Sequence, residues 1–210
     1  MTFNNEAKNP FEAWRNITQF FLSTNKDLIR DEKYVTYNGV IVSTIEKPTT
    51  IVGKNHKFSQ NYGDAYVKQV VEGSENDFIY TYHKRLFDYD SVNQIDYIVN
   101  ELNRDKKSRR AVAITWQPKI DEKLEDVPCL QFVKCLNQNG ALDMTVMFRS
   151  HDMFLGFYMN VIGLSGLMQS IADKLNLNVG KLTVISLSAH VYIKRDSDDM
   201  RKLLNNYWNG

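Results

Sequence analysis

The stretch PCLQFVKCLNQNGALDMTVMFRSHD, residues 128–152, decides how this chain is read. Apolar and polar residues alternate from Leu130 to Leu136 and again from Leu142 to Phe148, the period of a strand with one buried face. Between them Asn137-Gln138-Asn139-Gly140 supplies hairpin turn residues, since Asn and Gly accept positive φ. The hairpin puts Cys129 at the opening of one strand and Arg149 at the close of its neighbour.

Outward on the carboxyl side, Met153 to Ala172 carries no charge and has the length of a membrane span. Asn160, Ser165, Gln169, Ser170 and the glycines at 156, 163 and 166 interrupt it, and Asp152 and Asp173 flank it. It is therefore read as a helix buried in a soluble core, ending before Asn178 and Gly180. Thr183 to Ile193 alternates strictly. Ile185, Leu187, Ala189, Val191 and Ile193 face one way, and Ser186, Ser188, His190 and Tyr192 the other, so one face suits a core and one suits chemistry. Asp196 to Trp208 reads as a closing amphipathic helix behind an Asp or Ser cap.

On the amino side, Ala111 to Trp116 fits a buried strand, and Arg104-Asp105-Lys106-Lys107-Ser108-Arg109-Arg110 sets positive charge at its mouth. Ser91 with Gln94 resembles a capping box ahead of the apolar stripe Ile95, Ile98, Val99 and Leu102. Asn9-Pro10 opens a first helix through Trp14, Ile17, Phe20 and Phe21 to about Thr24, and Tyr34 to Val52 suggests short strands around Asn38-Gly39. No repeat, low-complexity tract or linker divides the chain, so residues 1–210 are read as one domain.

Composition narrows the function classes. Over 210 residues, 26 Lys+Arg against 25 Asp+Glu leave a net charge of +1, which argues against a broad basic face for nucleic acid. With 43% hydrophobic and 24% charged residues, disordered, collagen-like and coiled-coil classes are excluded. The first ten residues show no secretory pattern, and two cysteines are too few for a disulfide framework, so a reducing, cytoplasmic setting is expected. His56, His83, His151 and His190 lack the spacing of a metal site, and no Gly-rich phosphate loop, GxSxG elbow or dinucleotide fingerprint is present.

Four candidates remain for the chemistry. Cys129 alone reads as a small buried hydrophobe, but a cationic neighbour would favour the thiolate and a nucleophile's role. Arg109-Arg110 reads as solvated surface or as a grip on one phosphate; without interleaved aromatics it makes a poor base-stacking patch. Arg149-Ser150 with Asp152 could hold phosphate oxygens and order a site water, and His190 and Tyr192 share one strand face.

Taken together, Ser108-Arg109-Arg110, Pro128-Cys129, Arg149-Ser150-His151-Asp152 with Leu155-Gly156 and Asn160, and His190-Val191-Tyr192 resemble, in order and approximate spacing, the thymidylate synthase family. That family includes the pyrimidine nucleotide hydroxymethylases; the resemblance is strongest from Tyr80 to Tyr192 and closest to the short archaeal-type members. It implies an α+β domain with a large mixed sheet covered by helices, paired sheet to sheet as a homodimer. It implies transfer of a one-carbon unit from 5,10-methylenetetrahydrofolate, or a related reduced pterin, to C5 of dUMP through a covalent bond from Cys129 to C6, with no metal. Asn160 would read the uracil ring, where cytosine-specific members typically carry Asp. Asp152 and Gly156 would serve the folate side, and Asp152 the pyrimidine as well. Arg149 and Ser150 would hold the 5′-phosphate with Arg30 from a mobile loop and Arg109 and Arg110 from the partner subunit. His190 and Tyr192 would bind the ribose, and Tyr80 would assist proton removal at C5.

The departures are equally specific. Leu130, Phe148 and Ser188 stand where many members carry His, Gln and Asp. The early-helix glutamate, the tryptophan-bearing insert before Tyr80 and an apolar tail in place of Tyr207-Trp208-Asn209-Gly210 find no counterpart. The three substitutions sit beside the core chemistry, whereas the missing elements fall on the donor side and keep two alternatives open: a dUMP or dCMP hydroxymethylase, in which water captures the exocyclic methylene, and a non-catalytic pyrimidine-nucleotide-binding protein.

Overall fold

The computed structural model describes residues 1–24, 27–54, 57–74 and 80–208. His56 and the terminal Asn209-Gly210 lie outside them. In chain order the elements are β1 (Thr2–Ala7), α1 (Pro10–Ser23), β2 (Leu28–Arg30), β3 (Tyr34–Tyr37), β4 (Val40–Ile45), α2 (Gln60–Val71), α3 (Tyr82–Phe87), α4 (Gln94–Arg104), β5 (Val112–Ile114) and α5 (Pro118–Asp121). There follow β6 (Leu130–Gln138), β7 (Ala141–Phe148), β8 (His151–Asp152), α6 (Gly156–Leu175), β9 (Asn178–Ser186), β10 (Ala189–Tyr192) and α7 (Ile193–Trp208).

The hairpin forms as the alternation predicts. Gln138 pairs Ala141 across a turn in which Asn139 and Gly140 have φ of 54° and 92°, the positive pair that matches strand twist. Its outer end brings the Arg149 N–H to the Cys129 carbonyl at 2.9 Å. The first helix also begins as read, with the Asn9 side chain accepting from the Glu12 N–H at 2.9 Å. Trp14 then donates from Nε1 to the Phe154 carbonyl at 2.6 Å, tying α1 to the entry of α6. Helix α6 is buried along nearly its whole length against α1, α2, α4 and the face of β7 and β9. No helix among the described residues is long and apolar enough to cross a membrane.

Five expectations are corrected. The strands do not form one large sheet but two mixed ones: β1-β4-β9-β7-β6-β5 and β2-β3-β10-β8. Accordingly, Thr183 to Ile193 is not one strand. A bend at Leu187-Ser188 ends β9 in the first sheet and starts β10 in the second, so Ser186 is fully buried while Leu187 is 44% exposed. Helix α4 is capped not by Ser91 but by Asn93, whose Oδ1 accepts from the Ile95 and Asp96 N–H groups. Asp90 and Ser91 take positive φ in a tight turn closed by Tyr89 and Val92, which leaves Ser91 no path into the helix. Ala111 to Trp116 yields only the three-residue β5, at a sheet edge rather than buried on both sides. Finally, α7 begins at Ile193, and Asp196 lies in its first turn, accepting from the Tyr192 N–H at 2.9 Å.

Candidate active site

The second sheet opens onto a cavity of about 370 Å³. Five expected residues line it: Cys129, Ser150, Asp152, His190 and Tyr192. They come from three places. Cys129 stands at the entry to β6, Ser150 and Asp152 follow the end of β7, and the last two point from β10. Tyr34, Thr36 and Ser188 complete the wall. Register explains Tyr34 and Thr36, since β3 pairs antiparallel with β10 and sets Thr36 opposite His190 and Tyr34 opposite Tyr192.

Arg149 holds the Cys129 loop. Its Nε donates to the Pro128 carbonyl at 3.0 Å and its Nη2 to the Val127 carbonyl at 2.8 Å, with Nη2 4.0 Å from Cys129 Sγ. Burial pushes the Cys129 thiol above its ordinary value, and the Arg149 cation works in the opposite direction. Asp152 is anchored at both oxygens. Oδ1 accepts from the Phe154 and Leu155 N–H groups, and Oδ2 pairs with Arg195 Nη2 at 2.6 Å. The Arg195 guanidinium, paired as well with Asp196 at 2.6 Å, lies over the Tyr192 ring at 4.1 Å, and Lys33 lies over Tyr34 at 5.0 Å, so two cations stand at the rim, the first of them neutralised by carboxylates. Gly156 packs against this group: a Cβ there would stand 3.1 Å from Asp152 Cβ.

A second cavity, of about 270 Å³, is walled by Tyr66, Tyr80 and Tyr82 together with Asp126. Burial, with Cys129 nearby, pushes the Tyr80 phenol up to about 12, so it stays protonated. Asn160, in the second turn of α6, is held by both neighbours of its amide: Tyr66 donates to Oδ1 at 2.8 Å, and Nδ2 donates to His151 Nε2 at 3.2 Å. Among the described residues no group of three or more His, Cys, Asp and Glu is arranged to hold a metal ion.

A sequence model of the thymidylate synthase family matches residues 13–207. The chain belongs to this family. It is 40% identical over 181 residues to a provisionally named thymidylate synthase of Methanocaldococcus jannaschii, covering 82% of each chain. Provisionally named thymidylate synthases of Methanosarcina acetivorans and Methanothermobacter thermautotrophicus are 33% and 30% identical, over 89% and 91% of this chain and 88% and 94% of theirs. The crystal structure of thymidylate synthase from T4 phage superposes with a TM-score of 0.73 over 90% of this chain and 79% of that one, at 17% identity, a likeness of fold.

Of the arginines expected from the thymidylate synthase pattern, none lines the Cys129 cavity, and only Arg149 stands beside it, with Nη2 4.0 Å from Cys129 Sγ. Arg30 ends β2, two strands from β10, outside the lining. Arg109 and Arg110 are exposed, and Arg110 Nε is paired with Glu101 Oε1 at 3.1 Å. Sequence reasoning missed Tyr34, Thr36 and Arg195. The first two show a weak signal, polar groups alternating in Tyr34-Val35-Thr36; Arg195 shows only its place three residues after Tyr192.

Proposed function

We infer that this chain is a thymidylate synthase, transferring a one-carbon unit from a methylene-carrying reduced folate or related pterin to C5 of dUMP to give thymidylate. The observation that carries the reading is the meeting of Cys129, Ser150, Asp152, His190 and Tyr192 on one cavity, with Arg149 beside the thiol. Cys129 Sγ adds to C6 of the pyrimidine, the electron pair passes to O4, and C5 becomes the nucleophile. Arg149, beside Sγ, stabilises the thiolate that attacks and later leaves, while its outer N–H groups and the Ser150 hydroxyl hold the 5′-phosphate. The Asn160 amide meets ring N3 and O4. His190 and Tyr192 meet the ribose hydroxyl. Tyr80, protonated and close to Cys129, passes on the C5 proton through its hydroxyl.

The tyrosine-walled cavity suits the flat ring of a reduced pterin, with Asp152 and Gly156 at the boundary between the two halves. The donor supplies the one-carbon unit and the hydride. Arg109 and Arg110, exposed in one chain, serve the phosphate of a partner's site. A homodimer is supported by an apolar row on the uncovered face of the six-stranded sheet. Val42, Ile185, Met147, Phe132 and Ile114 are successive cross-strand partners over five strands. A nucleophilic free thiol suits a cytoplasmic setting.

The test is tritium release from C5 of labelled dUMP, with and without methylenetetrahydrofolate, together with identification of the product. Donor-dependent release with thymidylate as product, lost in Cys129→Ala, is expected. A 5-hydroxymethyl product would make the chain a hydroxymethylase, and binding without release would leave only a nucleotide-binding role.

A further inference from the structure

An asparagine amide offers two N–H groups and two lone pairs. At Asn160 the protein itself occupies one of each, through His151 Nε2 at 3.2 Å and the Tyr66 hydroxyl at 2.8 Å. With Nδ2 as donor, His151 Nε2 must be a bare acceptor, so the imidazole proton sits on Nδ1, 2.8 Å from Ser186 Oγ. The ring is confined: it is 1% exposed and stacked on Phe148 at 3.9 Å and 13°. Burial, with His190 adding to it, holds the imidazole down to about 3, so the acceptor persists at neutral pH. Tyr66 is confined as well. Its ring crosses α6 over Gly163, where a Cβ would stand 2.8 Å from Cε1, and the missing side chain lets the hydroxyl reach Asn160 one turn earlier.

We propose that His151 and Tyr66 are positioning residues that lock the Asn160 amide in one of its two orientations and thereby make the site read uracil rather than cytosine. The proposal rests on the reading that Asn160 meets the pyrimidine ring. Uracil presents an N3–H donor beside an O4 acceptor; cytosine presents an N3 acceptor beside an amino donor. The same amide, turned by half a revolution, pairs with either base. Turning it here would set Oδ1 against Nε2 and lose the His151 hydrogen bond unless the imidazole proton moved to Nε2 and the Ser186 hydroxyl turned to donate to Nδ1, so the amide can turn only together with the histidine and the serine. Selectivity is thus carried by the tautomer of a buried histidine.

The experiment is calorimetric titration of dUMP and of dCMP into the full-length chain and into His151→Phe, His151→Gln and Tyr66→Phe, each checked for folding by thermal melting. His151→Phe keeps a ring on Phe148 but removes the acceptor, Tyr66→Phe removes the donor, and His151→Gln retains an amide oxygen as acceptor. The preference for dUMP over dCMP is expected to fall roughly five- to tenfold in each Phe variant and to be retained in His151→Gln. A purely structural role would weaken both nucleotides together and leave the ratio unmoved. An unchanged ratio in the folded Phe variants overturns the proposal alone, while a wild-type chain that binds neither nucleotide overturns the site reading and the proposal together. Nitrogen NMR of His151 in the free chain reads the lock without any nucleotide: a proton on Nδ1 supports it, and a proton on Nε2 refutes it.

Discussion

The six-stranded and four-stranded sheets divide the work of this molecule between them. In the first, Ile41, Leu142, Met144, Val146, Leu182 and Val184 turn toward α6 and are essentially sealed from solvent. In the second, the strands are two to four residues long, and one face carries Tyr34, Thr36, His190 and Tyr192, all half-buried and polar. Short strands with few sealed side chains contribute little stability, so the small sheet must be held by the large one. The anchors are visible: Trp14 on the Phe154 carbonyl, His151 of β8 on the Ser186 hydroxyl of β9 at 2.8 Å, and the continuous chain from β9 into β10. The polar wall of the cavity thus stands on a sheet too small to stabilise itself, and the larger sheet that supports it also brings Cys129 and Ser150 to the same cavity from the ends of β6 and β7.

Substitutions should separate the two roles. The largest effect is expected for Cys129→Ala, with turnover down by on the order of 10⁴-fold or more and an unfolding midpoint shifted by less than about 1 kcal/mol. A similar loss of stability as of turnover would erase the distinction. Leu182→Ala, in the sealed half of the shared segment, should cost about 3 kcal/mol in denaturant unfolding and leave the dUMP affinity of the folded protein unchanged. His190→Ala, eight residues on, should do the reverse, weakening dUMP about tenfold with stability changed by about 0.5 kcal/mol or less. The two thiols sharpen the contrast further. Alkylation of Cys129 by iodoacetamide should be slow at neutral pH and quicken as pH rises through its raised value, while Cys135, buried and pushed up to about 12, should react only on unfolding.

The smallest effect lies outside both sheets. The Ser108 hydroxyl at 2.5 Å and the Arg104 guanidinium hold the Glu101 carboxyl down to about 2. A carboxyl lowered in the folded state contributes stability above its ordinary value of 4.5 and gives it up as pH falls toward about 2. Glu101→Gln should therefore flatten the acid limb of the stability profile in that window and leave the neutral limb alone, which acid titration of the far-ultraviolet circular dichroism would show.

What was legible in the sequence was local. Asn139-Gly140 announces its turn because both residues tolerate the positive φ the hairpin needs, and the uncharged run before Asp173 announces a buried helix. Cys129, Arg149 and Ser150 could be placed beside one another because one hairpin joins them. The polar face of His190 and Tyr192 was legible from alternation, but its opposite wall was not, because β3 and β10 are paired across more than half the chain and no local pattern encodes that pairing. The bend at Leu187-Ser188 was hidden for the opposite reason, since an apolar Leu and a polar Ser continue the alternation on either side. Likewise Ser91 matched a capping spacing, yet the backbone turn at Asp90 and Ser91 took it out of reach. The network from Ser186 through His151 and Asn160 to Tyr66 joins four elements and leaves no trace in any one of them.

The bend also sets a length constraint. Ser186 and Ala189 both point inward although they are three positions apart, an odd number, so the bend absorbs one residue of the two-residue period. Deleting Leu187 would restore the period and let β9 run straight on, turning His190 and Tyr192 onto the same outer face as Ile185. Insertions and deletions in this family should accordingly avoid positions 187 and 188 and collect in loops elsewhere, because at this corner a single codon separates a strand that faces the Cys129 cavity from one that continues the outer face of the six-stranded sheet.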